Sequence, residues 1–92
     1  MRERRVDQWL WYARFFKSRT GAAEFCAERR LRLNRQPIGK PSQPVRPGDV
    51  LTFPLGPNVR VIRVCDVGQR RGPPAEARGL YEDLAPPDDG RS

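Results

Sequence analysis

The sequence predicts an α+β domain: two helices first, then short strands, then one further short helix. Three observations carry this. Apolar residues recur at helical spacing from Val6 and again from Ala22. Short apolar and β-branched runs follow between Leu31 and Val67. Clusters of Pro, Gly, Asn and Asp punctuate those runs. A chain of 92 residues holds one domain at most, with a small core.

The first helix is expected over Val6 to Phe16. Val6, Trp9, Leu10 and Ala13 fall at i, i+3, i+4 and i+7 and make one stripe, and Asp7 in the first turn suits the positive helix end. Trp11 and Phe15 lie i, i+4 on the opposite side. They are either a second layer of core covered by the C-terminal segment or a platform for stacking or protein contact. Ser18 is the candidate N-cap of a second helix from Arg19 to Arg29, with Ala22, Phe25, Cys26 and Arg29 on one face.

Leu31-Arg32-Leu33 alternates as a short strand, and Asn34-Arg35 follows as its turn. Residues Gln36 to Pro44 read as loop. Arg46-Pro47-Gly48-Asp49 is a turn, with Pro fixing φ at the second position and Gly supplying positive φ at the third. Val50 to Phe53 is a strand, Pro54 to Asn58 a turn, and Val59 to Val67 the longest β-branched run. Alternation slips between Val61 and Ile62, which predicts a bulge or burial on both faces. Gln69 to Pro74 is a breaker-rich linker. Pro74 to Leu84 is a short helix with Pro in its first turn and Leu80, Tyr81 and Leu84 as docking residues. This gives three regions: a domain over 1–67, a linker and docking helix over 68–84, and a disordered tail over 85–92.

Charge is divided sharply. Residues 1–46 hold 12 Lys and Arg against 4 Asp and Glu, and residues 47–92 hold 6 against 7. The whole net charge of +7 therefore resides in the first half, the footprint of a polyanion partner. The chain contains no His, which removes the commonest general base and metal ligand. No nucleophile–base pair, phosphate-binding glycine loop or metal-ligand spacing is present, so no enzyme activity, no metal and no cofactor are expected. Cys26 and Cys65 are expected to be small buried thiols rather than a disulfide. No apolar run is long enough to span a bilayer, and the apolar face of the first helix is needed for the core, so no membrane partner is expected. These features fit a soluble, cytoplasmic protein.

The ordered set helix, Ser-Arg, helix, strand, Asn turn, Gly-Asp, strand resembles the S-four RNA-binding domain. The resemblance rests on Arg5, Asp7, Leu10, Ser18, Arg19, Ala22, Leu31, Leu33, Asn34, Val45, Gly48 and Asp49 and covers about residues 4–53. The segments Trp9 to Arg19 and Arg46 to Leu51, and also Gly72 to Leu84, look like the heat-shock protein fifteen family, a stand-alone version of that domain. The resemblance implies an alpha-L motif, two packed N-terminal helices against a small, mostly antiparallel sheet. It also implies an RNA-binding protein of the translation machinery, whose partners are structured RNA (rRNA, tRNA) and large ribosomal subunits that still carry peptidyl-tRNA after stalled synthesis. Two positions depart from the family pattern: Arg29 and Arg35 stand where glycine is usual, and glycine there would admit positive φ.

The residues expected to touch RNA are Arg5, Lys17, Ser18, Arg19, Arg29, Arg30, Arg32, Arg35 and Lys40. Arginine suits bidentate phosphate contacts, and the Lys17-Ser18-Arg19 corner offers backbone N–H groups at a helix N-terminus. Asp7 and Asp49 read as a cap and a turn ligand. The chain is expected to act as a monomer. Two other functions fit the same residues: an accessory subunit of an RNA-modifying or tRNA-handling enzyme, and a protein-interaction or chaperone-like module using Trp11, Phe15 and Tyr81.

Overall fold

The stripe at the head of the chain is the buried face of α1 (Val6–Tyr12), where Val6, Trp9 and Leu10 are fully enclosed. The computed structural model describes residues 2–85. The tail expected over 85–92 lies outside the described residues except for Ala85. Helix α2 (Arg19–Ala27) packs on α1 through Ala22 and Cys26, both fully buried. Its N-cap is Ser18, in extended conformation, whose Oγ accepts the Gly21 N–H at 2.9 Å.

Among the described residues there are seven short strands: β1 (Arg4–Arg5) precedes α1, and β2 (Leu31–Leu33), β3 (Gln36–Ile38), β4 (Pro44–Val45), β5 (Val50–Leu55), β6 (Asn58–Val64) and β7 (Tyr81–Asp83) follow α2. β1 pairs with β4, and the other five form an antiparallel sheet in the order β3-β2-β5-β6-β7. Leu31, Leu51, Phe53, Ile62 and Val64 project from one face onto the two helices and close the core. The fold is α+β, as predicted.

Several boundaries differ from the expectation, each for a local reason. α1 ends at Tyr12 and not Phe16. Arg14 turns into the left-handed region at φ 67°; its N–H reaches Trp11 O at 3.1 Å and that of Phe15 reaches Leu10 O at 3.1 Å. This is a Schellman stop with arginine in the glycine position. The reversal swings Phe15 back onto the core, 4.7 Å from the Tyr81 ring and edge-on to Phe53 at 5.6 Å. Trp11 is half-buried beneath the Arg71 guanidinium, 5.4 Å from its ring centroid. Of the two readings open for this aromatic pair, the structure therefore gives core covered by the C-terminal segment.

The expected loop from Gln36 to Pro44 contains β3 and the first residue of β4. Asn34 and Arg35 both have positive φ, 50° and 78°, so they close a two-residue hairpin between Leu33 and Gln36. Pro37 is tolerated because β3 is an edge. β5 runs through Pro54 to Leu55, and the turn shrinks to Gly56-Pro57, with Gly56 at φ 60°. Of the two alternatives at Val61–Ile62 the bulge does not occur: β5 and β6 pair in unbroken register from Val50↔Arg63 to Leu55↔Asn58, with Ile62 fully buried on the inner face and Val61 partly buried on the outer. The inward position that looked wrongly filled holds Arg60. Its guanidinium lies 2.6 Å from Asp83 and 5.4 Å from the Phe15 ring centroid, so a paired cation replaces an apolar residue there.

The expected C-terminal helix is split. α3 (Pro74–Ala77) and a single 3₁₀ turn over Arg78–Leu80 lead into β7, which pairs with β6 as Tyr81↔Val64 and Glu82↔Arg63. Gly79 lowers helix propensity there, and the open β6 edge supplies the competing hydrogen bonds. Leu80 and Tyr81 dock as expected, whereas Leu84 remains 40 % exposed. Trp9 Nε1 donates to Asp66 O at 2.8 Å and Arg14 Nε to Gly72 O at 2.7 Å, tying this segment to α1 and its end.

Cys26 is buried but Cys65 is exposed, contrary to the expectation of two buried thiols. Burial, and secondarily the negative charge of Asp7, push the Cys26 thiol up to about 12 from its ordinary 9.0. The unfolded chain loses that proton first as pH rises above the ordinary value, so this group lowers stability between those two values. A thiol reagent at pH ~8 should modify Cys65 quickly and Cys26 only after denaturation, because the thiolate is the reactive form. Two fast thiols by mass spectrometry would contradict the placement of Cys26.

No helix among the described residues is long and apolar enough to cross a membrane.

Candidate nucleic-acid interface

The first turn of α1 has no side-chain cap, so its orphan N–H groups find other acceptors. Val6 N donates to Gln43 O at 2.7 Å and Asp7 N to Pro41 O at 3.2 Å. The β3–β4 loop is thereby pinned against the start of α1. Asp7 is 2 % exposed and serves the residues around it. Its Oδ1 accepts from Gln8 N at 2.7 Å and from Arg5 Nε at 3.1 Å, while Oδ2 accepts from Arg5 Nη2 at 3.1 Å. The same Oδ2 lies 4.0 Å from Arg19 Nε. One enclosed carboxylate thus draws together two arginines 14 positions apart in the chain. Their side chains remain 49 % and 45 % exposed.

Lys17, Ser18 and Arg19 form the exposed corner between the helices. At the other end of α2, Arg29 adopts φ 61° and its N–H reaches Cys26 O at 3.1 Å. Its side chain crosses Gly39 so closely that a Cβ there would lie 2.9 Å from Arg29 Cγ. Arg29, Pro37, Gly39, Lys40 and Gln43 line one open groove. Arg5, Arg19, Arg29 and Lys40 are therefore gathered around the α1 start and the β3–β4 loop.

Arg30 is exposed beside them, 3.6 Å from Glu28 and over the Phe25 ring at 5.2 Å. Arg32 and Arg35 belong to the β2–β3 hairpin. Arg32, opposite Pro37 and Thr52, faces away from the core, and Arg35 lines a shallow hollow with Asn34, Val50, Thr52 and Val61. The hairpin tip is held by Asn34, whose Oδ1 accepts Val50 N at 2.9 Å and whose Nδ2 donates to Asp49 Oδ1 at 3.1 Å. Asp49 Oδ2 in turn accepts Arg46 N at 2.9 Å, which is the turn-ligand role expected of it.

The electrostatic contrast between the two halves is also visible in space. In the second half, Arg60 pairs with Asp83, Arg63 with Glu82 and Arg70 with Glu76. Arg71 donates to Trp11 O at 3.1 Å. Among the described residues no carboxylate lies within ion-pair distance of Lys17, Arg29, Arg32, Arg35 or Lys40. The candidate surface thus consists of nine exposed residues, most of them uncompensated, on elements fixed by the core. Arg2 and Arg4 add charge to the first half by sequence but are used otherwise: Arg2 pairs with Asp66, and Arg4 Nη2 donates to Gly68 O at 2.8 Å.

Asp7, read from the sequence as a cap, is not one: the N-cap position of α1 is Arg5, and Asp7 in the first turn instead serves as counter-ion to Arg5 and Arg19, a role the sequence reading missed. The available signal was an acid two positions after an arginine, at the head of a helix whose partner helix also begins with arginine. The dependence of Arg29 on Gly39 left no such signal. Among the described residues, no three His, Cys, Asp or Glu side chains gather as a metal would require.

Comparison with known proteins adds family relationships to this geometry. The model of the S4 domain, the S-four domain of the sequence comparison, matches residues 4–51. Heat shock protein 15 of Escherichia coli K12 is 39 % identical over 83 residues, covering 90 % of this chain and 62 % of that protein. The heat shock protein 15 homologue of Aeromonas salmonicida is 34 % identical over 79 residues, covering 86 % and 59 %. The chain thus spans about three fifths of the length of these curated relatives. A solved structure described as trimeric Vibrio cholerae heat shock protein 15 superposes with a TM-score of 0.85 at 33 % identity, over 91 % of this chain and 84 % of that one.

Proposed function

The chain belongs to the S4-domain family and within it to the heat shock protein 15 group, and from that membership we propose that it is a non-catalytic RNA-binding protein. The observation that carries this reading is the set of exposed cations at the α1 start, the α1–α2 corner and the β2–β3 hairpin, of which Lys17, Arg29, Arg32, Arg35 and Lys40 have no carboxylate within ion-pair distance among the described residues. Arg5, Lys17, Ser18, Arg19, Arg29, Arg30, Arg32, Arg35 and Lys40 are the proposed RNA contacts. Recognition is of backbone and shape. Among the described residues the exposed large apolar side chains are Val59 and Leu84, and every aromatic ring is at least half-buried, so unstacked bases find no platform. The same burial removes the aromatic surface on which a protein-interaction reading relied.

More finely, we propose rRNA or tRNA on the large ribosomal subunit as the partner, with preference for subunits that carry peptidyl-tRNA after stalled translation, in the cytoplasm. The proposed units are the RNA-binding domain over 1–67 and the docking segment over 68–84. Sedimentation with empty and peptidyl-tRNA-bearing large subunits tests the partner. Stronger co-sedimentation with the loaded form supports it, and equal weak binding reduces the claim to general RNA affinity. The Vibrio cholerae relative is described as trimeric. Light scattering therefore tests the proposed monomer, for which a mass near 10.6 kDa is expected.

Affinity for a structured RNA should fall steeply with salt. Roughly 4 to 6 phosphate contacts give a log–log slope of about −4 to −5 on a duplex, or about −3 to −4 on a single strand. A flat response across a salt titration would remove backbone contact as the source of affinity.

A further inference from the structure

Asp7 presents an apparent contradiction to an RNA-binding surface. It is a carboxylate, it sits among the cations proposed to meet phosphate, and it is almost completely enclosed. Simple electrostatics makes it a liability, because it lowers the positive potential at the place where an anion would bind. Its geometry points to a different role. Arg5 presents Nε and Nη2 to the two carboxylate oxygens, both at 3.1 Å, which fixes the plane of the guanidinium. An arginine has five N–H donors, so three on Arg5 stay available and face away from Asp7. Arg19 comes to 4.0 Å of the same oxygen through Nε, leaving its outer fork free.

We propose that Asp7 is a positioning residue that holds Arg5 and Arg19 side by side, with their outward N–H groups set for a phosphate of the RNA backbone. The inference rests on the RNA-binding reading above and assigns a role that charge counting does not. Asp7 is itself held in place. Its backbone N–H is bonded to Pro41 O at 3.2 Å, its Oδ1 accepts Gln8 N at 2.7 Å, and it begins a helix whose neighbours Val6, Trp9 and Leu10 are fully buried. The carboxylate is therefore rigid; its two hydrogen bonds pass that rigidity to Arg5, while Arg19 at 4.0 Å is drawn alongside by charge. A phosphate then meets arginines whose ordering has already been paid in folding rather than at binding.

The two views predict opposite signs for Asp7→Asn. This variant keeps the size and the acceptor for Gln8 N and raises net charge by one. If Asp7 only dilutes the positive field, the variant binds a structured RNA hairpin more tightly. If Asp7 positions the arginines, the variant binds about tenfold more weakly despite its extra charge, since two freed side chains must be ordered on binding. The positioning effect must also vanish when its targets are absent. In an Arg5→Ala, Arg19→Ala background, Asp7→Asn should cause no further weakening, and a structural role would not produce that coupling. Thermal melts accompany every binding curve.

Should Asp7→Asn melt below the assay temperature, Arg5→Lys takes its place, because lysine keeps the charge but cannot make the two-pronged contact. Weakening of about tenfold with a native melt is then expected. Tighter or unchanged binding by Asp7→Asn, or by Arg5→Lys where that variant stands in, overturns the proposal. Failure of the unmodified protein to bind the hairpin overturns instead the RNA-binding reading on which it rests.

Discussion

Trp9→Ala is expected to cost about 3–5 kcal/mol, a large share of the stability of so small a domain. Trp9 is fully buried and joins three parts of the molecule. It lies on the core stripe of α1, its ring centroid is 6.3 Å from that of Phe15 beyond the helix stop, and its Nε1 donates to Asp66 O at 2.8 Å after β6. Truncation leaves a cavity and also strips a carbonyl of its partner. A domain of this size has roughly 5–14 kcal/mol in all. At about 4–8 °C per kcal/mol the melting temperature should fall by at least about 12 °C. Trp9→Phe keeps most of the packing and loses the hydrogen bond, so a smaller loss of about 1–2 kcal/mol is expected. Circular dichroism melts measure both. A loss below about 1 kcal/mol for Trp9→Ala would mean that α1 does not anchor the core.

The second large effect separates binding from stability. Arg29 and Arg35 occupy left-handed backbone, φ 61° and 78°, where a side chain is strained. Replacing each with glycine should raise stability by about 0.5–1 kcal/mol, offset in part by the added freedom of the unfolded chain. Combined with Arg32→Ala, the triple variant removes three proposed phosphate contacts from exposed side chains. Its affinity for structured RNA should fall roughly a hundredfold, at about 1 kcal/mol per contact, and its salt slope should flatten by about 2 to 3 units. A variant that is at least as stable yet binds far more weakly cannot be explained by unfolding. Undiminished affinity in the triple variant would take the β2–β3 hairpin out of the interface.

The sequence carried the fold class and both helix starts, because each leaves a local signature. Val6, Trp9, Leu10 and Ala13 mark a buried face by period alone, and Ser18 marks a helix start by its chemistry. What it did not carry depends on neighbours distant in the chain or on backbone that its residues disfavour. Arg14 holds positive φ without glycine to announce it, so the early stop of α1 went unseen, and the Asn34-Arg35 turn was read without the strand β3 that it leads into. Arg60 on the inward face reads as a broken pattern until Asp83, 23 positions later, comes alongside it. Tyr81 to Asp83 looks helical by composition and becomes a strand because β6 offers an edge. Asp7 as the link between two arginines follows the same rule. Its neighbour Arg5 is local, but Arg19 reaches it only through helix packing.

Which surface meets RNA is the central claim, and an amide-resolved NMR titration of the isotope-labelled protein with a structured RNA hairpin tests it most directly. Shifts should concentrate on Arg5, Lys17, Ser18, Arg19, Arg29 to Arg35 and Lys40, while the amides of Arg63, Arg70 and Glu82 barely move. Shifts centred on β6, β7 and the segment after Val67, with the α1–α2 corner and the β2–β3 hairpin unaffected, would contradict it.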